Sequence, residues 1–289
     1  MTRTDFFNRS GDPQLWLKAG LISGLIVLLY ASVVPAMAHT WWNDPAYSHG
    51  LLIPPLAAYL AWSRRERVFE IPVAPDSRGL SLILLACLLF LVGKLGAEFF
   101  LSRISLIVLL AGLIWTFWGV WRLRILAFPL LLLATMVPIP VIVYNLLAAP
   151  LQLFASNVST EILQLVGMPV YREGNVIHLP ETSLGVAEAC SGLRSLSSLT
   201  VLALLVGFLQ CRRLVTRALL FVLAIPIAIG VNVLRVTGTA LLADYDQELA
   251  LGFYHSFSGW LVFLAAFAIV LGAAKLLGVL LDGKQNASG

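Results

Sequence analysis

The stretch GVAEACSGLRSL, residues 185–196, places a cysteine between a glutamate and an arginine beside a long apolar segment. A thiol is weakly ionised at its usual pKa of about 8.5, and a helix N-terminus or a nearby cation lowers that pKa. We expect both at Cys190, because the apolar run predicts a helix and Arg194 follows one turn later. The residue types therefore indicate nucleophilic acyl transfer by Cys190, with Glu188 and Arg194 as supporting residues.

Two other residues, His255 and Arg235, lie later in the chain and supply the remaining groups that such a reaction needs. His255, in YHSFSG, has the chemistry of a general base or acid. Arg235, in NVLRVTGT, has no proton to give at neutral pH and suits oxyanion stabilisation or the positioning of a carbonyl. Glu188 could orient Arg194, Arg235 or His255, and the sequence leaves that choice open.

Each candidate residue could also have a purely structural role instead of a catalytic one. A cysteine beside a membrane helix usually only packs, as we expect for Cys87 and Cys211, whereas Cys190 has polar and small neighbours. An arginine near a helix end often only extends to the interface. Arg235 follows Asn232 within an apolar helix, where ionisable groups are costly and indicate function. The remaining histidines rank below His255, with His49 of DPAYSHG as the main rival and with His39 and His178 behind it.

The composition indicates an integral membrane protein. The 289 residues are 60% hydrophobic and only 12% charged, about half the charged fraction of soluble domains. Apolar segments occupy nearly the whole length, so we expect a single membrane-embedded domain over residues 1–289 without a separate soluble domain. The formal charge of +4 lies in short basic clusters between apolar runs, which argues against nucleic acid as a partner.

The apolar segments predict an all-α polytopic fold. A helix that crosses the hydrocarbon core needs about 20 apolar residues. Segments that meet or nearly meet this length predict about eight transmembrane helices, at residues 19–38, 48–63, 79–97, 103–121, 123–138, 190–209, 214–236 and 256–281.

The basic clusters orient these helices. With the N-terminus in the cytoplasm, eight crossings place most of the arginines inside and residues 282–289 in a short cytoplasmic tail. This holds only if residues 141–165 do not cross, because a ninth span would move Arg212, Arg213 and Arg217 outside. We therefore expect an interfacial or re-entrant helix at 141–165 on the outer side.

Residues 166–187 interrupt the helical pattern just before the cysteine stretch. Alternation in YREGNVIHL predicts a small hairpin at the outer face, with EGN as its turn.

This topology brings the distant candidates to one depth. Cys190 begins the sixth span, Arg235 ends the seventh and His255 begins the eighth. All three are therefore expected at the outer edge of the bilayer.

Four motifs of the chain are similar to those of the exosortase/archaeosortase family. They are E-A-C-S-G-L-R-S at 188–195, N-V-L-R-V at 232–236, Y-H-S-F-S-G at 254–259 and W-N-D-P-A-Y-S-H-G-L-L-I-P at 42–54. The resemblance extends from about residue 15 to about residue 280. Histidine at the third basic position resembles the bacterial exosortase branch.

The resemblance implies a cysteine protease or transpeptidase in the bacterial inner membrane, with its active site on the periplasmic side. Its substrates would be membrane-anchored exported proteins with a C-terminal sorting signal. Such a signal consists of a Pro-Glu-Pro-type motif, a transmembrane helix and a basic tail. The catalytic residues of the family map onto Cys190, Arg235 and His255.

Other classes of protein fit the sequence less well. A transporter or lipid-handling protein would use Arg235 and Glu188 as ligands, but paired inverted repeats are absent. The sequence contains no GxSxG or HExxH motif and no paired intramembrane aspartates, so other hydrolase mechanisms lack their parts. The cysteine and histidine spacing predicts neither a metal site nor a cofactor.

Overall fold

Helices dominate the structure because a backbone in hydrocarbon must satisfy its polar groups within its own segment. The computed structural model describes residues 13–186, 192–246 and 253–283. The chain divides into two compact units, residues 1–140 and residues 141–289.

The first unit is built from helices throughout its described part. Two glycines of one helix allow a neighbouring helix to approach closely: a Cβ on Gly93 would lie 2.5 Å from the Ser102 hydroxyl, and Gly79 is similarly tight against Thr116. The elements are α1 (Pro13–Tyr30), α2 (Val33–Asn43), a 3₁₀ turn (Ser48–Leu51), α3 (Ile53–Ser63), α4 (Arg65–Glu70), α5 (Gly79–Leu95), α6 (Phe99–Trp118) and α7 (Val120–Ala134).

The second unit combines helices with a small sheet and contains the candidate site. Its elements are α8 (Val141–Leu165), β1 (Tyr171–Glu173), β2 (Val176–His178), β3 (Ser183–Gly185), α9 (Gly192–Gln210), α10 (Leu214–Tyr245) and α11 (Phe253–Leu277). A π-helical turn, Gly278–Asp282, follows α11.

The predicted hairpin is confirmed. β1 and β2 pair antiparallel, with Glu173 opposite Val176. A two-residue turn joins them, in which Gly174 has a φ of +61°, a conformation that glycine adopts without strain. A third strand, β3, pairs with β2 and was not predicted.

Among the described residues of the second unit, two buried clusters meet along α10. One joins the sheet to α8 and the later part of α10, and includes Ile177, Leu184, Val186 and Val236. The other joins α9, α10 and α11 around residues such as Val270.

The helix lengths support a multi-pass membrane protein. Among the described residues, α6, α8, α10 and Gly259–Asp282 are long and apolar enough to cross a membrane. The segments Gly20–Tyr30 and Val33–Asn43, bent by 54°, form a fifth span if counted together. The eight crossings and the cytoplasmic termini stay predictions.

Several predicted segments differ in extent from the helices observed. The segment 48–63 contains only the 11-residue α3 after the 3₁₀ turn, and the segment 123–138 overlaps the 15-residue α7, which begins at Val120. Residues 141–165 form one continuous helix that satisfies the length and apolarity of a span, so only the charge argument favours an interfacial position. The segment 214–236 continues as a helix to Tyr245. The prediction ended where the apolar residues end, but a helix can continue beyond the apolar part that spans the membrane.

Candidate active site

Three of the predicted site residues, Arg194, Arg235 and His255, belong to helices that pack against one another, α9, α10 and α11. Arg235 lies within α10, in the later part of that helix and not at its end as predicted. Positions 194 and 255 lie in the first turns of α9 and α11, where the structure describes the backbone but not the side chains of Arg194 and His255. Cys190 and Glu188 lie outside the described residues.

The structure brings Arg235 against the beginning of α11. A Cβ on Gly259 would lie 3.4 Å from Nη2 and 3.7 Å from Cζ of Arg235. The guanidinium therefore packs on the α11 backbone, where a Cβ would just fit in van der Waals contact and a branched side chain would crowd it. Position 255 is one turn before Gly259 on the same helix face, about 6 Å along the axis. Arg235 and position 255 thus border the same region.

Hydrogen bonds hold the segment of α10 around Arg235. The Ser159 hydroxyl of α8 donates to the carbonyl of Val233 at 3.3 Å. The Thr239 hydroxyl donates to the carbonyl of Arg235 at 2.8 Å. The first bond joins α8 to α10 one turn of α10 or less from Arg235, and the second lies within α10 itself.

A buried amide accompanies Arg235. Asn232 is 7% exposed, and its Oδ1 has no hydrogen-bond partner among the described residues. It precedes Arg235 by three residues and therefore lies on the neighbouring part of the same helix face. A buried, unsatisfied polar atom costs about 1–3 kcal/mol. This cost makes Asn232 a candidate functional residue beside Arg235.

From the sequence, Asn232 was noted only as a polar neighbour of Arg235, and Gly259 was not predicted to be part of the site. The motifs N-V-L-R-V and Y-H-S-F-S-G contained both residues. The spacing between Arg235 and Gly259 along the chain does not indicate that they meet, because the contact between α10 and α11 depends on tertiary packing.

The described chain approaches the cysteine stretch from two sides. β3 ends at Gly185, and the next residue, Val186, belongs to the buried cluster that contains Val233 and Val236. The described chain resumes at Gly192, where α9 begins.

The other histidines have different surroundings. His178 stacks on Tyr171, with 4.5 Å between ring centroids, and its Nε2 lies 3.7 Å from Glu173. These contacts give His178 a role in the hairpin. His49 lies in the 3₁₀ turn of the first unit, where its Nδ1 is buried without a hydrogen-bond partner among the described residues. His39 lies in α2.

The helix lengths and packing define a polytopic helical membrane protein. A sequence model of the transmembrane exosortase family matches residues 41–272, and the chain therefore belongs to that family. Neither the curated proteins nor the solved structures include a match to the chain.

Proposed function

We propose that this exosortase is a cysteine protease or transpeptidase that cleaves the C-terminal sorting signal of exported proteins at the outer face of the bacterial inner membrane. One observation carries the proposal: the Arg235 guanidinium lies against Gly259, one helical turn from position 255. Two of the three residues with the required chemistry thereby border one region, within a family match that covers most of the chain.

The connectivity of the chain supports the proposal that Cys190 belongs to the same active site as Arg235 and His255. A fully extended chain spans at most about 3.6 Å per residue. The Cys190 Cα is therefore no more than about 14 Å from that of Val186 and about 7 Å from that of Gly192. Val186 belongs to the same buried cluster as Val233 and Val236, which flank Arg235 in α10. On this basis we propose that the Cys190 thiol acts beside the guanidinium.

The length of α10 also supports a position of Arg235 at the outer face of the membrane. Leu214 and Arg235 are separated by about 31 Å along α10. A hydrocarbon core is about 30 Å thick. With the basic residues Arg212 and Arg213 in the cytoplasm, Arg235 therefore reaches the outer boundary, and the rest of α10 extends beyond it.

The proposed reaction begins with attack of the Cys190 thiolate on the scissile carbonyl carbon. Arg235 stabilises the negative charge that develops on the carbonyl oxygen. The C–N bond then breaks, and His255 delivers a proton to the leaving amine. A thioacyl-enzyme remains, which an amine, a hydroxyl group or water resolves. Glu188 and Arg194 support the thiolate and its partners.

The proposed substrate class rests on the family to which the chain belongs. It consists of exported proteins that carry a Pro-Glu-Pro-type motif, a transmembrane helix and a basic tail. We propose that the substrate helix lies in the bilayer beside the enzyme while its motif reaches the outer face.

Co-expression with such a substrate tests the proposal. Cys190→Ala and Cys190→Ser should leave the precursor uncleaved, whereas Cys211→Ala, which changes a buried cysteine at the end of α9, should retain processing. Mass spectrometry of the trapped wild-type intermediate should map a thioester to Cys190. Normal processing by well-expressed Cys190→Ala would exclude the proposed nucleophile.

A further inference from the structure

Among the described residues, β3, the strand that precedes Cys190 in the sequence, forms an edge of the small sheet that no other strand pairs with. The strand order is β1-β2-β3, so β3 forms one edge and β1 the other. Val186 N–H donates to the carbonyl of Asn175, and Leu179 N–H donates to the carbonyl of Thr182. The register of β2 and β3, continued by one residue at each end, places Val186 opposite Asn175 and Thr182 opposite Leu179. Both are therefore hydrogen-bonded pairs of the antiparallel ladder.

Alternation along the ladder then determines the direction of every backbone group in β3. Leu184 directs its N–H and C=O toward β2, whereas Ser183 and Gly185 direct theirs away from the sheet. Among the described residues, neither outward-facing residue has a backbone partner on that side. The edge therefore presents two sets of donors and acceptors, two residues apart, in the spacing of an extended peptide.

The side chains along this edge leave room for another strand. Leu184 is buried beneath the sheet, whereas Ser183 lies on the opposite, exposed side. Gly185 has no side chain, and a glycine within a strand often marks the close approach of another backbone or a ligand. A substrate with large side chains therefore meets little steric resistance here.

The free edge is continuous with the proposed catalytic cysteine. Gly185 precedes Cys190 by five residues, a distance of at most about 18 Å in a fully extended chain. A peptide paired with β3 therefore binds to a strand that ends only five residues before Cys190 in the sequence. Extended peptides often bind by adding a strand to a sheet edge, with main-chain hydrogen bonds for affinity.

We propose that the β3 edge binds the extended segment of the protein substrate beside the scissile bond as an additional β-strand. This inference rests on the proposed function, because it takes the occupant to be the peptide that Cys190 cleaves. Main-chain pairing at Ser183 and Gly185 holds that peptide extended and sets which of its carbonyls meets the nucleophile.

The opposite edge of the same sheet provides a matched control. Arg172 in β1 is exposed, lies opposite Ile177 in a pair that is not hydrogen-bonded, and also directs its N–H away from the sheet. Proline at an outward-facing edge position removes that donor without breaking a ladder bond. Ser183→Pro and Arg172→Pro therefore make the same backbone change on the two edges.

Substrate cleavage by the two variants in proteoliposomes distinguishes the edges. Ser183→Pro should raise KM about 3- to 10-fold with a smaller change in kcat, because one net hydrogen bond to the substrate is lost. Arg172→Pro should change KM by less than about twofold. Equal effects of the two substitutions, with equal thermal stability, would overturn the proposal.

Photo-crosslinking measures docking without catalysis. A benzoylphenylalanine introduced at Ser183 in the Cys190→Ala protein should crosslink to the Pro-Glu-Pro-containing segment of the substrate, and one at Arg172 should not. Crosslinking of Ser183 to a second copy of the chain, or to neither protein, would exclude strand addition by the substrate. If Cys190→Ala cleaves the substrate normally, the protease proposal fails separately from the docking proposal.

Discussion

At the scale of single residues, Gly259 determines how closely the Arg235 guanidinium approaches α11. We predict that Gly259→Val lowers processing about 10- to 100-fold, because displacement of a positioning group by about 1 Å has effects of this size. The rate of substrate cleavage by purified protein measures the effect.

Gly272 of the same helix supplies the control for that substitution. A Cβ on Gly272 meets nothing within 4 Å. Gly272→Val makes an identical chemical change in α11 and should retain wild-type processing. Equal losses in the two variants would assign the effect to helix propensity and not to the Arg235 contact.

The buried amide of Asn232 gives a second prediction at this scale. Asn232→Leu replaces an unsatisfied polar group with an apolar one of similar size, so the midpoint of thermal unfolding should stay constant or rise while processing falls. The matched variant is Thr237→Val, since Oγ1 of Thr237 is also buried without a partner among the described residues but lies on a different side of α10. Thr237→Val should preserve processing. A loss of stability in Asn232→Leu would indicate that the amide is structural.

At the scale of secondary-structure elements, Asp282 connects the end of α11 to the start of α10. Its carboxylate accepts hydrogen bonds from the backbone N–H of Arg212 at 2.7 Å and from the Thr216 hydroxyl at 2.8 Å. The backbone N–H of Arg213 donates a longer bond of 3.4 Å. This carboxylate therefore holds α10, which carries Arg235, and α11, which carries position 255, at a common register.

We predict that Asp282→Asn lowers the midpoint of thermal unfolding by several degrees, because hydrogen bonds that involve a charged group are stronger than neutral ones. Thermal unfolding in detergent measures the change. Asp244→Asn near the opposite end of α10 should have no effect or a slight stabilising one, because a negative charge near a helix C-terminus is unfavourable. Equal unfolding of the Asp282→Asn and wild-type proteins would contradict this role.

At the scale of the whole molecule, the path of α8 determines on which side the hairpin lies. With an external hairpin and an interfacial α8, cysteines introduced at Val141 and Arg172 should both react with a membrane-impermeant maleimide in intact cells. Both positions are exposed in the structure and flank α8. The background for this labelling would carry serine in place of the three native cysteines.

A cysteine at Arg213 should react only after the membrane is permeabilised, since this residue belongs to the cluster assigned to the cytoplasm. Labelling of positions 141 and 172 from opposite sides of the membrane would show that α8 crosses. That result would change the number of spans without changing the contact between Arg235 and Gly259.

The sequence by itself determined the properties that depend on neighbours along the chain. Apolar runs predicted a helical membrane protein, and alternation around Gly174 predicted the hairpin. A polar cysteine stretch and an arginine within an apolar helix identified Cys190 and Arg235 as candidates, because charge and hydropathy can be read without knowing the fold.

Only the tertiary structure decided which distant groups meet. Gly259 receives the Arg235 guanidinium, Asp282 binds the turn before α10, and β3 pairs with β2. Each contact joins residues whose separation along the chain carries no periodic signal. Their proximity arises from the packing of whole helices and strands, and the local pattern of residues does not encode which surfaces pack together.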